Sequence, residues 1–245
     1  LAASNRSTQE QDNPMMNVKC PKCGMKYQEF IRIGKFGCAD CYDVFGPLIE
    51  DNIKKLHGSV EHKGKKSNKT AQHGNDLRDV VISSRVRLAR NVKKYNFSLK
   101  LTENDAVKMI DELSEAINSL DIVKDYSSYN FKTLDEYQKQ AMKERHVISN
   151  FLLGQKQAAG FVSKDEDISI MLNEEDHIRI QAYAPGMDME KAFELADKVD
   201  DAIDSVTDYA FDEKYGYLTT CPSNVGTGMR ASYMLHLPAL AGNNR

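Results

Sequence analysis

Four cysteines near the N-terminus constrain the fold of this chain more than any other feature. They form two CxxC pairs separated by 14 residues: Cys20 and Cys23, then Cys38 and Cys41. Two such pairs complete a tetrahedral Zn²⁺ site, and four thiolates close the coordination shell, so the spacing predicts a structural metal site. Two disulfides and a set of unrelated thiols are the alternatives. Gly24 and Gly37 are expected at the chain reversals between the pairs.

Cysteine usage and charge together indicate a compartment and a division of the chain. The fifth cysteine is Cys221, and an odd count without a secretion signal predicts a reducing compartment, here the cytoplasm. Basic residues exceed acidic ones up to about residue 70, whereas acidic residues dominate afterwards, although the formal net charge is only −3. This change of sign indicates two modules. No apolar run approaches the 18 residues that a membrane-spanning helix needs.

We therefore predict four segments. Residues 1–15 are a disordered leader, 16–62 a zinc-binding module, 63–76 a polar and basic linker, and 77–245 a larger module. The lysines of the first module would suit nucleic-acid phosphates, but a solvated basic surface explains them equally well. A docking module for a partner protein is a third interpretation.

The larger module predicts a mixture of helices and strands. The pattern of 101–120 indicates a helix starting at Thr102, with Val107, Ile110, Leu113, Ile117 and Leu120 on one face. A second helix follows Asp188, with Leu195, Ala196, Val199 and Ile203 directed inward. "DISIML", "HIRIQAY", "YGYLTT" and "RASYMLHL" read as strands. Without strict βαβ alternation, the fold class is α+β, with helices against a mainly antiparallel sheet.

Arginines recur in three separate segments of this module. Arg85 and Arg87 in "VISSRVRLARN" lie two apart on a predicted strand and project to one face, while Arg179 and Arg230 follow turn-like or glycine-containing segments. On one surface, the four would form a clamp for a polyphosphate, each guanidinium making bidentate contacts. No Walker-type loop is present. An ion-paired surface is the alternative interpretation.

Two further segments contain candidate reactive groups. "NEED" at 173–176 holds three successive carboxylates, which are either exposed in a turn or aimed at a cationic substrate. Because Glu174 and Glu175 point in different directions, at most one faces a ligand squarely. Cys221 precedes a loop with two glycines and is either a packed thiol or, beside a basic group, a thiolate.

These segments together resemble a known family. "SSRVRLARN", "HVIS", "NEEDHIRI" and "TTCPSNVGTGMRASYMLHLP" are similar, in the same order, to the motifs of phosphagen kinases, in particular the bacterial protein-arginine kinases. The segment from about 17 to 64 resembles a zinc-binding segment of the activator protein of these kinases. The chain therefore resembles an activator segment joined to a kinase. A natural fusion and an artificial joining are both compatible with this sequence.

The resemblance implies roles for individual residues. It places the residues that contact the nucleotide and its phosphates at Arg85, Arg87, His146, Arg179, Arg230 and His236. It makes Glu175, with Glu174 beside it, the carboxylate that binds the substrate guanidinium, and it puts Cys221 near that group. Arginines and Mg²⁺ would neutralise the phosphates, while the carboxylate orients the guanidinium and takes up its proton.

The resemblance also implies an activity and partners. The expected reaction is ATP-dependent phosphorylation of arginine side chains in proteins, with ATP, Mg²⁺ and structural Zn²⁺ as cofactors. Expected partners are protein substrates with exposed arginines, the activator-like module itself, a Clp-type protease in stress responses, and a second copy of the chain; nucleic acid and membrane are not expected. Family members continue beyond the last motif, so we expect the catalytic module to be incomplete at its C-terminus.

Three alternatives remain open from the sequence. The chain is a kinase-like scaffold, catalytically incomplete, whose zinc module binds a protein partner; or it is a zinc-ribbon nucleic-acid binder with an inert domain; or it is a kinase of small guanidino compounds. Nucleotide binding without transfer, salt-dependent binding to nucleic acid, and transfer to free arginine separate them.

Overall fold

The computed structural model describes residues 17–58, 60–61 and 80–238. The predicted leader (1–15) and linker (63–76) lie outside the described residues. The helices are α1 (Tyr27–Ile33), α2 (Asp40–His57), α3 (Glu103–Asn118), α4 (Glu136–Glu144), α5 (Asn150–Leu153) and α6 (Met189–Asp204). The strands are β1 (Val81–Arg90), β2 (Ser127–Asn130), β3 (Ala159–Val162), β4 (Ile168–Leu172), β5 (Ile178–Pro185), β6 (Phe211–Asp212), β7 (Gly216–Tyr217) and β8 (Met229–Leu235).

A six-stranded sheet forms the centre of the larger module. Its strand order is β2-β3-β4-β5-β1-β8, and every neighbouring pair is antiparallel. Helices accompany this sheet, so the predicted α+β class with a mainly antiparallel sheet is confirmed. None of the helices in the described part of the chain is long and apolar enough to cross a membrane.

The main core lies between one face of the sheet and helices α3 and α6. Val86 and Leu88 of β1 and the isoleucines of β4 and β5 face it. Both helices begin as predicted, because the side chain of Thr102 accepts from Asp105 N and that of Asp188 accepts from Lys191 N. Ile110, Leu113 and Ile117 are buried as predicted, together with Ala106 and Met109, whereas Val107 and Leu120 are only half-buried.

The cysteine-rich module packs against the larger module through a shared core. Phe30, Phe36, Tyr42 and Phe45 belong to one buried cluster with a set of residues from the larger module: Phe97, Ala210, Tyr215, Leu218 and Val225. Hydrogen bonds join the two parts as well, with Tyr42 Oη donating to Thr219 O at 2.8 Å. The two modules that the change of composition predicts therefore share one continuous apolar interface.

Two local predictions need correction. "YGYLTT" contributes only the two residues of β7, which pair with β6, because the following residues turn away to contact the zinc module. Gly24 does occupy a chain reversal, with φ of +74°. Gly37 instead permits a close approach, because an added Cβ would lie 2.8 Å from Lys100 Cγ and 2.9 Å from Cys23 Sγ.

The third arginine of the "RVRLAR" segment has a structural role. Arg90 is fully buried, and its Nε and Nη2 donate to the two carboxylate oxygens of Asp200 at 2.9 and 2.6 Å. Its guanidinium carbon lies 3.6 Å from the centroid of the Tyr217 ring. This bidentate pair ties the end of β1 to α6, so Arg90 is separate from the arginines considered below.

Candidate active site

The four arginines of the predicted clamp share one face of the sheet. Arg85 and Arg87 alternate with the core residues Val86 and Leu88, and therefore project to the face opposite helices α3 and α6. Directly paired residues of antiparallel strands project to the same face. Arg230 on β8 pairs with Arg87, and Arg179 on β5 pairs with Ala89, which has the same parity. The sheet register thus gathers four guanidinium groups that are distant in sequence.

These four guanidinium groups are close enough for three of them to affect the pKa of the fourth, Arg87. Burial, which has the largest effect, and the positive charges of Arg85, Arg179 and Arg230 together lower the pKa of the Arg87 guanidinium to about 10. The carboxylate of Glu174 acts in the opposite sense. Like charges held together in this way leave a surface that favours an anion with several negative oxygens.

Glu174 is a buried carboxylate that holds Arg179 in position beside this surface. Its side chain accepts from Ser149 Oγ at 2.7 Å, from Arg179 Nη1 at 2.5 Å and from the backbone N–H of Glu175 at 2.5 Å. It is fully buried, so the "NEED" segment is not the exposed turn that one interpretation expected. With its oxygens engaged in this way, Glu174 orients Arg179 and the backbone of its neighbour.

Glu175 faces the other way. Its Oε1 lies 2.9 Å from Lys35 Nζ of the zinc module, and its Oε2 lies 3.9 Å from Arg179 Nη2. The side chain is 22% exposed, so it remains accessible. The expected divergence of Glu174 and Glu175 is therefore observed, and Glu175 is the carboxylate available to a cationic ligand beside the arginine face.

Asp176 connects the carboxylate turn to the cysteine loop. Its Oδ1 accepts from Asn91 Nδ2 at 2.7 Å and from Thr220 N at 2.6 Å. Burial raises the pKa of this carboxyl above its usual range. The next residue in the loop, Cys221, has its Sγ 3.0 Å from Ser223 Oγ and is half-buried. The thiol and Glu175 are thus held on adjoining segments by one buried carboxyl group.

Neither histidine assigned by resemblance belongs to this hydrogen-bonded cluster in the described residues. His146 and His236 are both exposed, and within the described ranges no side-chain contact joins either imidazole to the arginines. His146 adopts φ of +63°, and its carbonyl accepts from Gln181 Nε2 at 2.8 Å. Its backbone is therefore fixed to β5, next to the arginine face, whereas its ring is free to contact a ligand.

The four cysteines of the zinc module form a compact cluster. Their Sγ atoms all lie within 4.8 Å of one another, with separations of 3.6 Å for Cys20–Cys38, 3.4 Å for Cys23–Cys41 and 3.8 Å for Cys38–Cys41. A tetrahedral site with Zn–S bonds of about 2.3 Å requires sulfur separations of about 3.8 Å. None of the cysteines forms a disulfide, so the set fits a structural Zn²⁺ ion.

His177 ends the carboxylate turn as a buried, neutral side chain. Its Nδ1 accepts from Val92 N at 3.1 Å, and its Nε2 therefore carries the proton and donates to Asn96 O at 2.8 Å. Burial lowers the pKa of His177 to about 4, below the value of about 6.5 for an unfolded histidine.

This difference predicts a pH-dependent stability. Between about pH 6.5 and 4 the unfolded chain binds the extra proton, so the stability is fully present above pH 6.5 and is lost as the pH falls through 4. We expect the free energy of unfolding to fall by about 1.4 kcal/mol per pH unit in this window, relative to His177→Gln. Urea unfolding of both proteins at several pH values measures this. Parallel pH profiles would contradict it.

Several residues of the site carry no role in the sequence-based assignment. Ser149, Asn91 and Asp176 position the carboxylates, and Lys35 contacts Glu175 from the other module. Asn91 and Asp176 lie within the motifs "SSRVRLARN" and "NEEDHIRI", and Ser149 ends "HVIS", which is a signal for the neighbourhood but not for the contacts. Lys35 has no such signal, because only the packing of the zinc module brings it here.

Comparisons with known proteins are consistent with this geometry. A family model for the C-terminal catalytic domain of ATP:guanido phosphotransferases matches residues 108–245. This chain belongs to the ATP:guanido phosphotransferase family. A second family model, for the central zinc-finger domain of McsA, matches residues 18–64. Both predicted resemblances are therefore confirmed.

Relatives of this chain include three curated protein-arginine kinases. The kinase from Caldanaerobacter subterraneus subsp. tengcongensis is 46% identical over 166 residues, which is 66% of this chain and 49% of that protein. That from Exiguobacterium is 46% identical over 69% of this chain and 48% of its own length. That from Clostridium acetobutylicum is 44% identical over 68% and 49%. The chain thus spans about half the length of these relatives.

Solved structures show the same guanido-phosphotransferase fold at low sequence identity. A lombricine kinase superposes with a TM-score of 0.73 at 20% identity, covering 92% of this chain and 71% of that one. A duplicated taurocyamine kinase from Schistosoma mansoni, with bound components of a transition-state analogue, gives 0.73 at 23%, covering 84% and 32%. The predicted cofactors, ATP with Mg²⁺ and structural Zn²⁺, are supported by the two family matches and the cysteine cluster.

Proposed function

We propose that this chain contains the catalytic part of a protein-arginine kinase, which transfers the γ-phosphoryl group of ATP to arginine side chains. The observation that carries the proposal is the position of Glu175, an accessible carboxylate beside a face that presents four arginines. A polyanion and a cation are thereby bound next to each other, as phosphoryl transfer between ATP and a guanidinium requires.

The proposed roles follow from the contacts. Arg85, Arg87, Arg179 and Arg230 bind and neutralise the phosphates, and Glu174 keeps Arg179 oriented. The family resemblance, rather than a contact, assigns His146 and His236 to the nucleotide. Mg²⁺, carried by the nucleotide, supplies further charge neutralisation at the phosphate oxygens. The zinc ion held by Cys20, Cys23, Cys38 and Cys41 is structural, because four thiolates leave it no open position.

Glu175 acts on the acceptor. It orients the guanidinium and takes up the proton of the attacking nitrogen as that nitrogen bonds to the γ-phosphorus. The bond between this phosphorus and the oxygen bridging to the β-phosphorus breaks, and ADP leaves. Cys221, on the adjoining loop, adds negative potential beside the cationic acceptor when it is ionised.

The acceptor class comes from the relatives, which are named as protein-arginine kinases. We propose proteins with exposed arginines as substrates, the zinc module as the activating partner of the catalytic module, and delivery of the products to a Clp-type protease in the cytoplasm. A homodimer belongs to the same proposal. The segments 16–62, 63–76 and 77–245 remain our proposed division into zinc module, linker and catalytic module. The scaffold alternative is not favoured, because the matched family is catalytic.

Radiolabelled ATP tests this function and its acceptor. Incubated with a denatured protein, the chain should transfer acid-labile label to arginine, whereas free arginine should accept label at least about tenfold more slowly. Equal labelling of free arginine would replace the protein-kinase proposal by a small-molecule guanidino kinase. Label on serine or threonine alone, stable in acid, would overturn the reaction itself.

A further inference from the structure

A lysine of the zinc module enters the candidate active site. Lys35 lies between α1 and α2, and its Nζ is 2.9 Å from Glu175 Oε1. Its side chain is 34% exposed, so the ammonium group is partly withdrawn from water. The carboxylate proposed to receive the substrate guanidinium is thus already paired with a cation from the same chain.

Backbone contacts hold Lys35 at this position. The next residue, Phe36, donates its N–H to Thr220 O at 2.9 Å and is itself fully buried. Gly37 O accepts from Phe97 N at 2.9 Å. Thr220 immediately precedes Cys221, so the loop that carries Lys35 is anchored to the same segment as the Cys221 thiol. Packing of the whole zinc module against the larger module therefore places Lys35 beside Glu175.

The surroundings of the ammonium are those that suit an arginine side chain. The hydrogen bond that Lys35 donates to Glu175 raises the pKa of Lys35 above its usual range, and the negative charges of Glu175, Cys221 and Asp176 act in the same sense. The ring of Phe151 lies with its centroid 5.7 Å from Lys35 Nζ. A carboxylate, a thiol and an aromatic face bind a guanidinium at least as well as an ammonium ion.

We propose that Lys35 is a specificity-determining residue of the substrate site, where its ammonium group occupies the place of the substrate guanidinium until an arginine displaces it. The proposal rests on the proposed function, in which Glu175 binds the substrate guanidinium. Lys35 and the substrate arginine then share Glu175 as their partner. A planar guanidinium makes two parallel hydrogen bonds to one carboxylate, whereas an ammonium makes a point contact. An arginine side chain gains from the exchange, while a substrate lysine replaces one ammonium by another and gains nothing.

Calorimetric titration with N-acetyl-Gly-Arg-Gly-amide measures this competition without requiring turnover. Lys35→Met removes the competing cation while keeping a side chain of similar length, so we expect this variant to bind the peptide about fivefold more tightly than the unaltered chain, as for loss of a partly exposed ion pair. Lys26→Met, which removes an exposed lysine elsewhere in the same module, is the matched control and should bind like the unaltered chain. Glu175→Gln should weaken binding at least tenfold.

The outcomes separate this inference from the proposed function. If Glu175→Gln weakens binding but Lys35→Met binds the peptide equally, more weakly or not at all, Lys35 does not compete and only the inference fails. If the peptide binds as expected but no variant transfers phosphate, the function fails and the competition stands. If Glu175→Gln binds like the unaltered chain, Glu175 is not the common partner and both fail.

Chemical labelling provides a second readout on the unaltered chain. Displacement exposes the ammonium, so saturation with the arginine peptide should increase the rate of reductive methylation of Lys35, measured by mass spectrometry. The matching peptide with lysine in place of arginine should leave the rate unchanged, as should either peptide for Lys26. An unchanged rate at Lys35 with bound arginine peptide would contradict displacement.

Discussion

Replacement of Glu175 by glutamine should slow phosphoryl transfer to arginine by about two to four orders of magnitude, the usual loss when a positioned general base is removed. The amide keeps the size of the side chain but neither carries the charge that orients a guanidinium nor takes up its proton. Nucleotide binding should change by less than about twofold, because Arg85, Arg87 and Arg230 remain in place. Initial rates of acid-labile labelling and a fluorescence titration with a nucleotide analogue measure the two effects.

The control for this variant is Glu115→Gln, which removes an exposed carboxylate from α3 and should leave the rate unchanged. A rate for Glu175→Gln within tenfold of the unaltered chain would remove this residue from proton transfer. Loss of nucleotide binding together with the rate would instead show that the phosphate face and the carboxylate are not independent, contrary to the division of roles given above.

Removal of zinc should unfold α1 and α2 while the six-stranded sheet persists. Binding of structural zinc contributes roughly 10–16 kcal/mol to the folded state of small zinc domains, more than the apolar contacts of a module this size supply. The main core between the sheet and helices α3 and α6 contains no residue of the zinc module, so it keeps its packing. The larger module should nevertheless lose stability, because Phe97 and Leu218, which pack against the zinc module, lose their neighbours.

Hydrogen exchange after chelation resolves the two modules. Amides of α2 should lose protection by more than about a thousandfold, whereas those of β4 and β5 should remain protected. Cys38→Ser should reproduce the effect, and Cys221→Ser, outside the cluster, should retain one zinc per chain. Simultaneous loss of protection in both modules, or an α2 that stays protected without metal, would contradict this account.

Features that depend on short stretches of sequence were predictable. The spacing of the cysteines, the helix-capping side chains of Thr102 and Asp188, and the apolar run that forms β4 all act within a few residues. The shared face of Arg85 and Arg87 follows from strand geometry alone. That Arg179 and Arg230 join them depends on sheet register, for which the resemblance to a family was the only signal.

Features that depend on packing between distant segments were not predictable. Strand alternation places Arg90 on the face opposite Arg85 and Arg87, but its buried partner Asp200, on a distant helix, has no signal in the local sequence. From the sequence alone, the carboxylates of "NEED" are compatible with a solvated turn. The contacts of Glu174 with Ser149 and Arg179, which come from other segments, show that it is buried. Lys35 is one of several lysines in a basic module. Only the packing of its neighbour Phe36 in the apolar interface shows that this lysine reaches Glu175.

Phosphorus NMR of the reaction mixture tests the central claim most directly, because it follows the γ-phosphorus of ATP to its destination. With the chain, Mg²⁺ and an arginine-containing protein, the account predicts a new phosphoramidate resonance that grows in step with ADP and disappears on acidification. Formation of ADP with inorganic phosphate alone, or no consumption of ATP at enzyme concentrations matching those of the acceptor, would contradict transfer to a guanidinium at this site.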